Sequence, residues 1–247
     1  MRRACLPLIL AVTEALSGCH ASQKTINSPS GGTDVQRAEN SPATPSIRPA
    51  PAPPASDPRP VIACFGDSLT AGFGTEAGES YPEDLQRALD ASGYHYRVAN
   101  LGISGNTTKD GLDRIDRVIA LHPSLVVVEF GGNDGLRGLR IADTRANLDK
   151  IISTLKQSGT KVVLAGITLP PDYGPDYIRQ FDETYSLLAR KYNVPMIPFL
   201  LKGVFGVDGM MQADRTHATA AGNKVVAENV HALIQPLLKK PATRSQQ

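Results

Sequence analysis

Val61-Ile62-Ala63-Cys64-Phe65-Gly66-Asp67-Ser68-Leu69-Thr70-Ala71-Gly72 is the stretch that decides the fold. Its first five residues are apolar and β-prone and stop at a glycine, the pattern of a short buried strand. A strand that breaks at Gly66 and turns into a helix sets the turn residue at the top of a sheet. That residue is Ser68. Its hydroxyl would face a crevice, and its own N–H would join the free donors at a helix start. A hydroxyl beside backbone donors suits acyl transfer: it attacks, and the donors hold the oxygen that becomes negative. Read alone, Gly66–Leu69 fits equally well a plain turn in which Asp67 or Ser68 caps the next helix.

Outward from this stretch, strands and helices alternate. The pattern predicts further strands over 96–101, 124–130, 161–167 and 194–199. It predicts helices opening at 79–84 with Pro82 in the first turn, capped at 106–108, and over 144–157, 177–192 and 219–237. The strands are apolar runs without clean alternation, as expected when both faces are covered. The prediction is an α/β domain over 61–240: a three-layer α/β/α sandwich on about five parallel strands, flavodoxin-like. Its ligand crevice should lie beyond the carboxyl ends of the strands.

The first sixty residues differ in kind. Met1-Arg2-Arg3 is followed by a short apolar run from Cys5 to Thr13, too short to span a bilayer, so 1–18 reads as an export signal. Leu16-Ser17-Gly18-Cys19 resembles a bacterial lipobox, which implies cleavage before Cys19 and its lipidation, although Glu14 is unusual in such a core. Ordinary cleavage nearby, giving a periplasmic or secreted product, is the alternative. Residues 20–60 hold 9 of the 19 prolines, so 19–60 reads as a disordered tether reaching on the order of 100 Å. The only membrane contact expected is an anchor at Cys19.

The whole chain is formally +2, and from residue 61 onward it carries 20 basic and 20 acidic residues. With no basic run, nucleic acid is not the expected partner. Cys64 is the one cysteine within the folded part, on an apolar strand, where an inert buried thiol is expected. The five histidines are scattered, so no metal site and no cofactor are expected.

Two further clusters fall at predicted strand ends, and a third precedes the last predicted helix. Gly102 sits in Asn100-Leu101-Gly102-Ile103-Ser104-Gly105, where a glycine lets backbone N–H approach a ligand. Gly131-Gly132-Asn133-Asp134-Gly135 would aim the Asn133 amide at the crevice. Asp214-Arg215-Thr216-His217 spaces a carboxylate and an imidazole three apart, so that on one helical turn Asp214 could hold the His217 tautomer. Each cluster alone is ordinary turn or surface chemistry.

Together they resemble the SGNH, or GDSL, hydrolase family over most of residues 61–238. The segments 131–138 and Leu169-Pro170-Pro171-Asp172-Tyr173-Gly174 are similar to the thioesterase I, lysophospholipase and arylesterase branch. The resemblance implies Ser68 as nucleophile, His217 as base and Asp214 as its orienter. It implies an oxyanion hole from Ser68 N–H, Gly102 N–H and the Asn133 amide. Many relatives carry proline after the histidine; here Ala218 stands there, which questions the rigidity of that loop.

The implied substrate is a small acyl ester, thioester or lysophospholipid, cleaved by a monomer through an acyl-enzyme. Leu136, Leu139, Ile141, Tyr173 and Phe205 are candidates for an acyl groove, with Val204, Met210 and Met211 open to ordinary packing. Alternatives are a carbohydrate acetyl esterase of the cell envelope and a non-catalytic binding lipoprotein of the same fold. Gly72-Phe73-Gly74-Thr75-Glu76-Ala77 fits a dinucleotide pattern formally, but it starts too far past the strand to bind there.

Overall fold

A computed structural model describes residues 57–240. The leader expected over 1–18, Cys19 and the tether expected from 19 lie, as far as residue 56, outside the described residues. Ordered contacts begin before residue 61, because Arg59 donates to Asp57 and to Tyr96 O. Among the described residues no helix is long and apolar enough to cross a membrane.

Five parallel strands form one sheet: β1 (Val61–Gly66), β2 (Arg97–Asn100), β3 (Leu125–Glu129), β4 (Lys161–Ala165) and β5 (Met196–Ile197). Their order is β2-β1-β3-β4-β5, the flavodoxin-like order, with Cys64 paired to both Asn100 and Val127. Every residue of β1 and β3 is buried, which accounts for their continuous apolar sequences. Cys64 is fully buried, and burial pushes its thiol up to about 12, so it is inert.

The α-helices among the described residues are α1 (Ser68–Ala71), α2 (Tyr81–Ala91), α3 (Thr108–Asp113), α4 (Ile115–Ile119), α5 (Gly132–Leu136), α6 (Ile141–Gln157), α7 (Pro175–Tyr192) and α8 (Ala220–Ile234). From β1 the chain steps to β2 through α2, and from β3 to β4 and β5 through α6 and α7, in the opposite direction. Right-handed crossovers therefore place α2 on one face, and α6 and α7 on the other. α8 packs against α2, and α3 joins α6, which completes the three layers. Local signals start the helices: Ser80 N–H and Oγ donate to Glu83 at α2, and Gly222 N–H donates to Thr219 Oγ1 at α8.

Three predicted elements end early for structural reasons. The helix expected after the cap at 106–108 breaks at Arg114. That guanidinium turns under the sheet end, donates to Gly66 O, Leu101 O and Asn106 Oδ1, and lies 4.5 Å from the Phe65 ring centroid. The strands expected over 161–167 and 194–199 end early, at Ala165 and Ile197. Gly166 N–H still donates to Ile197 O, and Leu200 N–H to Gly166 O, but the side chains beyond leave the sheet for the crevice.

Candidate active site

The sheet opens at its switch point, between β1 and β3, where successive connections leave to opposite faces. Ser68 follows β1 and Asn133 follows β3, so both stand at the carboxyl end of that gap. The turn into α1 is held by Asp67, whose Oδ1 accepts from Leu69 N–H at 3.1 Å. The capping reading was therefore also correct: Asp67 caps and Ser68 presents its hydroxyl. Gly66 is required here because a Cβ would sit 2.5 Å from Glu129 Oε2.

Glu129, at the end of β3, is a site residue that the sequence reading missed. It is buried, and its Oε2 accepts from Asp67 N–H at 3.2 Å and Thr70 Oγ1 at 2.8 Å, while Oε1 has no partner among the described residues. Burial, and then the Asp67 carboxylate beside it, raise its pKa well above the usual carboxylate range. Burial also pushes Asp67 up to about 6, against the hydrogen bonds of Leu69 N–H and Asn133. A charged residue inside an apolar strand was the available signal.

Asn133 Nδ2 donates to Asp67 Oδ2 at 3.1 Å and to Asn106 O at 3.0 Å. Both amide protons are thus engaged. The following Asp134 anchors α5 by accepting from Thr108 N–H at 2.8 Å and from Thr144 Oγ1 at 3.2 Å.

The histidine arrives from the far end of the chain. His217 Nε2 lies 2.8 Å from Ser68 Oγ, and His217 Nδ1 lies 2.6 Å from Asp214 Oδ2. Asp214 Oδ1 accepts from Thr216 N–H at 2.9 Å and His217 N–H at 3.0 Å. Partial burial works to raise the Asp214 pKa, but these bonds, led by the His217 ring, outweigh it and hold the carboxyl at about 2. The segment 214–217 is a turn and not the helical turn expected, since Arg215 has φ +57°. Despite Ala218, the loop is clamped at its base: Met211 and Ala218 form an antiparallel bridge, and Gln212 Nε2 donates to Phe73 O and Ala218 O. The Phe73 ring lies 4.7 Å from the His217 ring.

Gly102, expected in the oxyanion hole, is engaged elsewhere. Its N–H donates to Asn100 Oδ1 at 2.9 Å, and a Cβ there would run into the backbone of Ala71. Its smallness lets the chain after β2 pack against α1. Of the two glycines of this segment it is Gly105 that lines the crevice with Ser68 and Asn133, and its N–H has no partner among the described residues. The sequence offered two glycines three residues apart, and nothing local distinguishes them.

Around Ser68 and His217 the crevice encloses about 470 Å³. Leu136 and Phe205 line it, as expected of an acyl groove. Leu139, Ile141 and Tyr173 do not. The chain past Asn133 forms α5, which carries Leu139 and Ile141 away from the mouth. Tyr173 braces from outside, its hydroxyl donating to Leu136 O at 2.8 Å. Val204 is core, fully buried. The remaining apolar wall is Ile167, Leu169, Pro170, Pro171, Phe199 and Leu201, from the loops after β4 and β5.

An α/β/α sandwich with a serine at the end of β1, bonded to an imidazole that is bonded to a carboxylate, has the architecture of a serine hydrolase. The chain belongs to the GDSL-like lipase/acylhydrolase family, which it matches over residues 64–225. It is 44% identical over 179 residues to esterase TesA of Pseudomonas aeruginosa, covering 72% of this chain and 89% of that protein. It is 34% identical to thioesterase 1/protease 1/lysophospholipase L1 of Escherichia coli, covering 72% and 85%. A crystal structure of TesA superposes with a TM-score of 0.69 at 42% identity, covering 72% of this chain and 99% of that one.

Proposed function

We propose that this protein hydrolyses carboxylic esters and thioesters through an acyl-enzyme on Ser68. The observation that carries the reading is the unbroken chain Ser68 Oγ, His217 Nε2, His217 Nδ1, Asp214 Oδ2, with links of 2.8 and 2.6 Å. Ser68 Oγ attacks the carbonyl carbon while His217 Nε2 accepts the hydroxyl proton. Asp214, ionised, holds the other ring nitrogen as its donor and balances the imidazolium. The oxyanion takes N–H donors from Ser68 and Gly105, and Asn133 gives it an amide proton released from Asn106 O or Asp67. His217 then protonates the leaving group, and water attacks the acyl-Ser68 carbonyl with His217 again as base. The apolar walls favour an alkyl acyl chain over the acetyl group of a sugar.

Labelling by a fluorophosphonate probe tests this. Wild type is expected to label and to hydrolyse nitrophenyl esters, and Ser68→Ala to do neither. Labelling that survives in Ser68→Ala, or wild type inert to every ester and thioester, refutes the reading.

We propose further that the chain is exported and held at a membrane by lipid on Cys19, on the support of residues 1–19 alone. Metabolic labelling with palmitate, absent in Cys19→Ala, tests this. A monomer is the proposed state, to be checked by light scattering.

A further inference from the structure

Arg215 lines the crevice beside Thr216 and His217. Its φ of +57° lies in the left-handed region, which disfavours any side chain and suits glycine. A large residue at such a position, two residues before His217, points to a use for its side chain. The turn does not supply that use. Both oxygens of the neighbouring Asp214 are taken by Thr216 N–H, His217 N–H and the His217 ring. Among the described residues no carboxylate pairs with the Arg215 guanidinium. No other lysine or arginine lines the crevice, and Asp67 lies buried on its floor as the cap of α1.

We propose that Arg215 is a specificity residue that binds a phosphate carried by the leaving group of the substrate. This deepens the hydrolase reading and rests on it. The direction follows from the chemistry. The acyl chain belongs with the apolar walls, such as Leu169, Phe199 and Phe205. The leaving group must collect its proton from His217 Nε2, so it departs along the loop that carries Arg215. A guanidinium without an acidic partner offers a two-pronged match to a phosphate there. Two substrate types present that chemistry: a lysophospholipid, whose alcohol bears a phosphate, and a thioester of a phosphorylated thiol.

Matched pairs test the proposal and separate the two sources. In the first pair, one medium acyl chain is carried on glycerol or on glycerol phosphate. In the second, it is carried on N-acetylcysteamine or on coenzyme A. Wild type is expected to prefer the phosphorylated member of at least one pair in kcat/KM, and that pair names the source. Arg215→Gln should narrow this preference roughly two- to fivefold, mainly through KM, the scale of an exposed ion pair. Arg215→Lys should restore part of it, and added salt should shrink it in wild type. Arg215→Gly removes the backbone strain along with the charge, and should narrow the preference as Arg215→Gln does. The proposal is overturned if the preference is absent in wild type, or if Arg215→Gln leaves the ratio unchanged or lowers both members equally. A wild type active on nitrophenyl esters but indifferent to phosphate sinks this proposal alone. One inactive on every ester sinks the hydrolase reading with it.

Discussion

Ser68 stands on buried ground, while His217 stands on an exposed loop. Beneath Ser68, Asp67 and Glu129 are 2% and 1% exposed, and their bonds join residues some sixty positions apart. Around His217 nearly every bond is local, between residues 210 and 219, and the Asp214 side chain is 41% exposed. The nucleophile side is thus positioned by the core and cannot move without disturbing the sheet end. The base side is positioned by its own turn and tied to the rest mainly by Gln212 on Phe73 O. Substitutions on the loop should change chemistry with little loss of stability, whereas substitutions under Ser68 should change both.

The sharpest way to break this contrast is at the triad. Ser68→Ala is expected to lower kcat by about 10⁴- to 10⁶-fold, and Asp214→Asn by up to about 10⁴-fold. Neither should shift the thermal midpoint by more than about 0.5 kcal/mol of stability, because Ser68 is only half-buried and Asp214 is wet. A collapse of stability in Asp214→Asn would mean that the loop is not self-contained.

Asn133→Ala tests whether the two halves meet at one carbonyl. Loss of one oxyanion donor typically costs ~2.7–4 kcal/mol of barrier, so kcat should fall about 10²- to 10³-fold. Because Asp67 and Asn106 also lose a donor, a small loss of midpoint should accompany it. An unchanged kcat with a lowered midpoint would reduce Asn133 to a brace.

pH separates the halves by sign. Asp67 is raised from 3.8 to about 6. A raised carboxyl pKa favours the fold while protonated, so its contribution is full below about pH 4 and is lost as pH rises through 6, by roughly 3 kcal/mol at most. Asp214 is lowered to about 2, so its contribution is present above about pH 4 and is lost as pH falls toward 2. That second effect should be smaller, since water screens Asp214. Urea melts of wild type against Asp67→Asn and Asp214→Asn across pH 2–7 should show difference curves of opposite slope. Parallel curves would remove the contrast.

The smallest effect concerns the acyl groove. Phe205→Asp should shorten the preferred acyl chain on nitrophenyl esters several-fold in relative rate. Leu139→Asp, outside the crevice, should leave the chain-length profile as it is. The reverse result would restore the groove expected from sequence order.

Much of this molecule was legible before its structure. Continuous apolar runs with helices between them imply a parallel sheet covered on both faces, the strand-end rule pointed to the crevice that Ser68 and Asn133 line, and the spacing of Asp214 and His217 was a separate signal. Misreadings arose where neighbours in sequence part in space. Gly102 and Gly105 look alike in the chain, but Asn100 captures the N–H of the first. Leu139 and Ile141 follow Asn133 closely, yet α5 turns them away. Glu129 looked like one charge in a strand, and its meaning depends on Gly66, Asp67 and Thr70, brought to it by parallel pairing.

The order of apolar and turn residues, by itself, determined the layers of this protein and the level in the fold at which its chemistry lies, because periodicity and turn propensity are local. Which N–H groups stay unspent, which carboxyls have their pKa pushed up and which side chains wall the crevice were decided only by tertiary packing. Hydrogen-bond competition and burial are set by neighbours in space, and a linear chain does not name them.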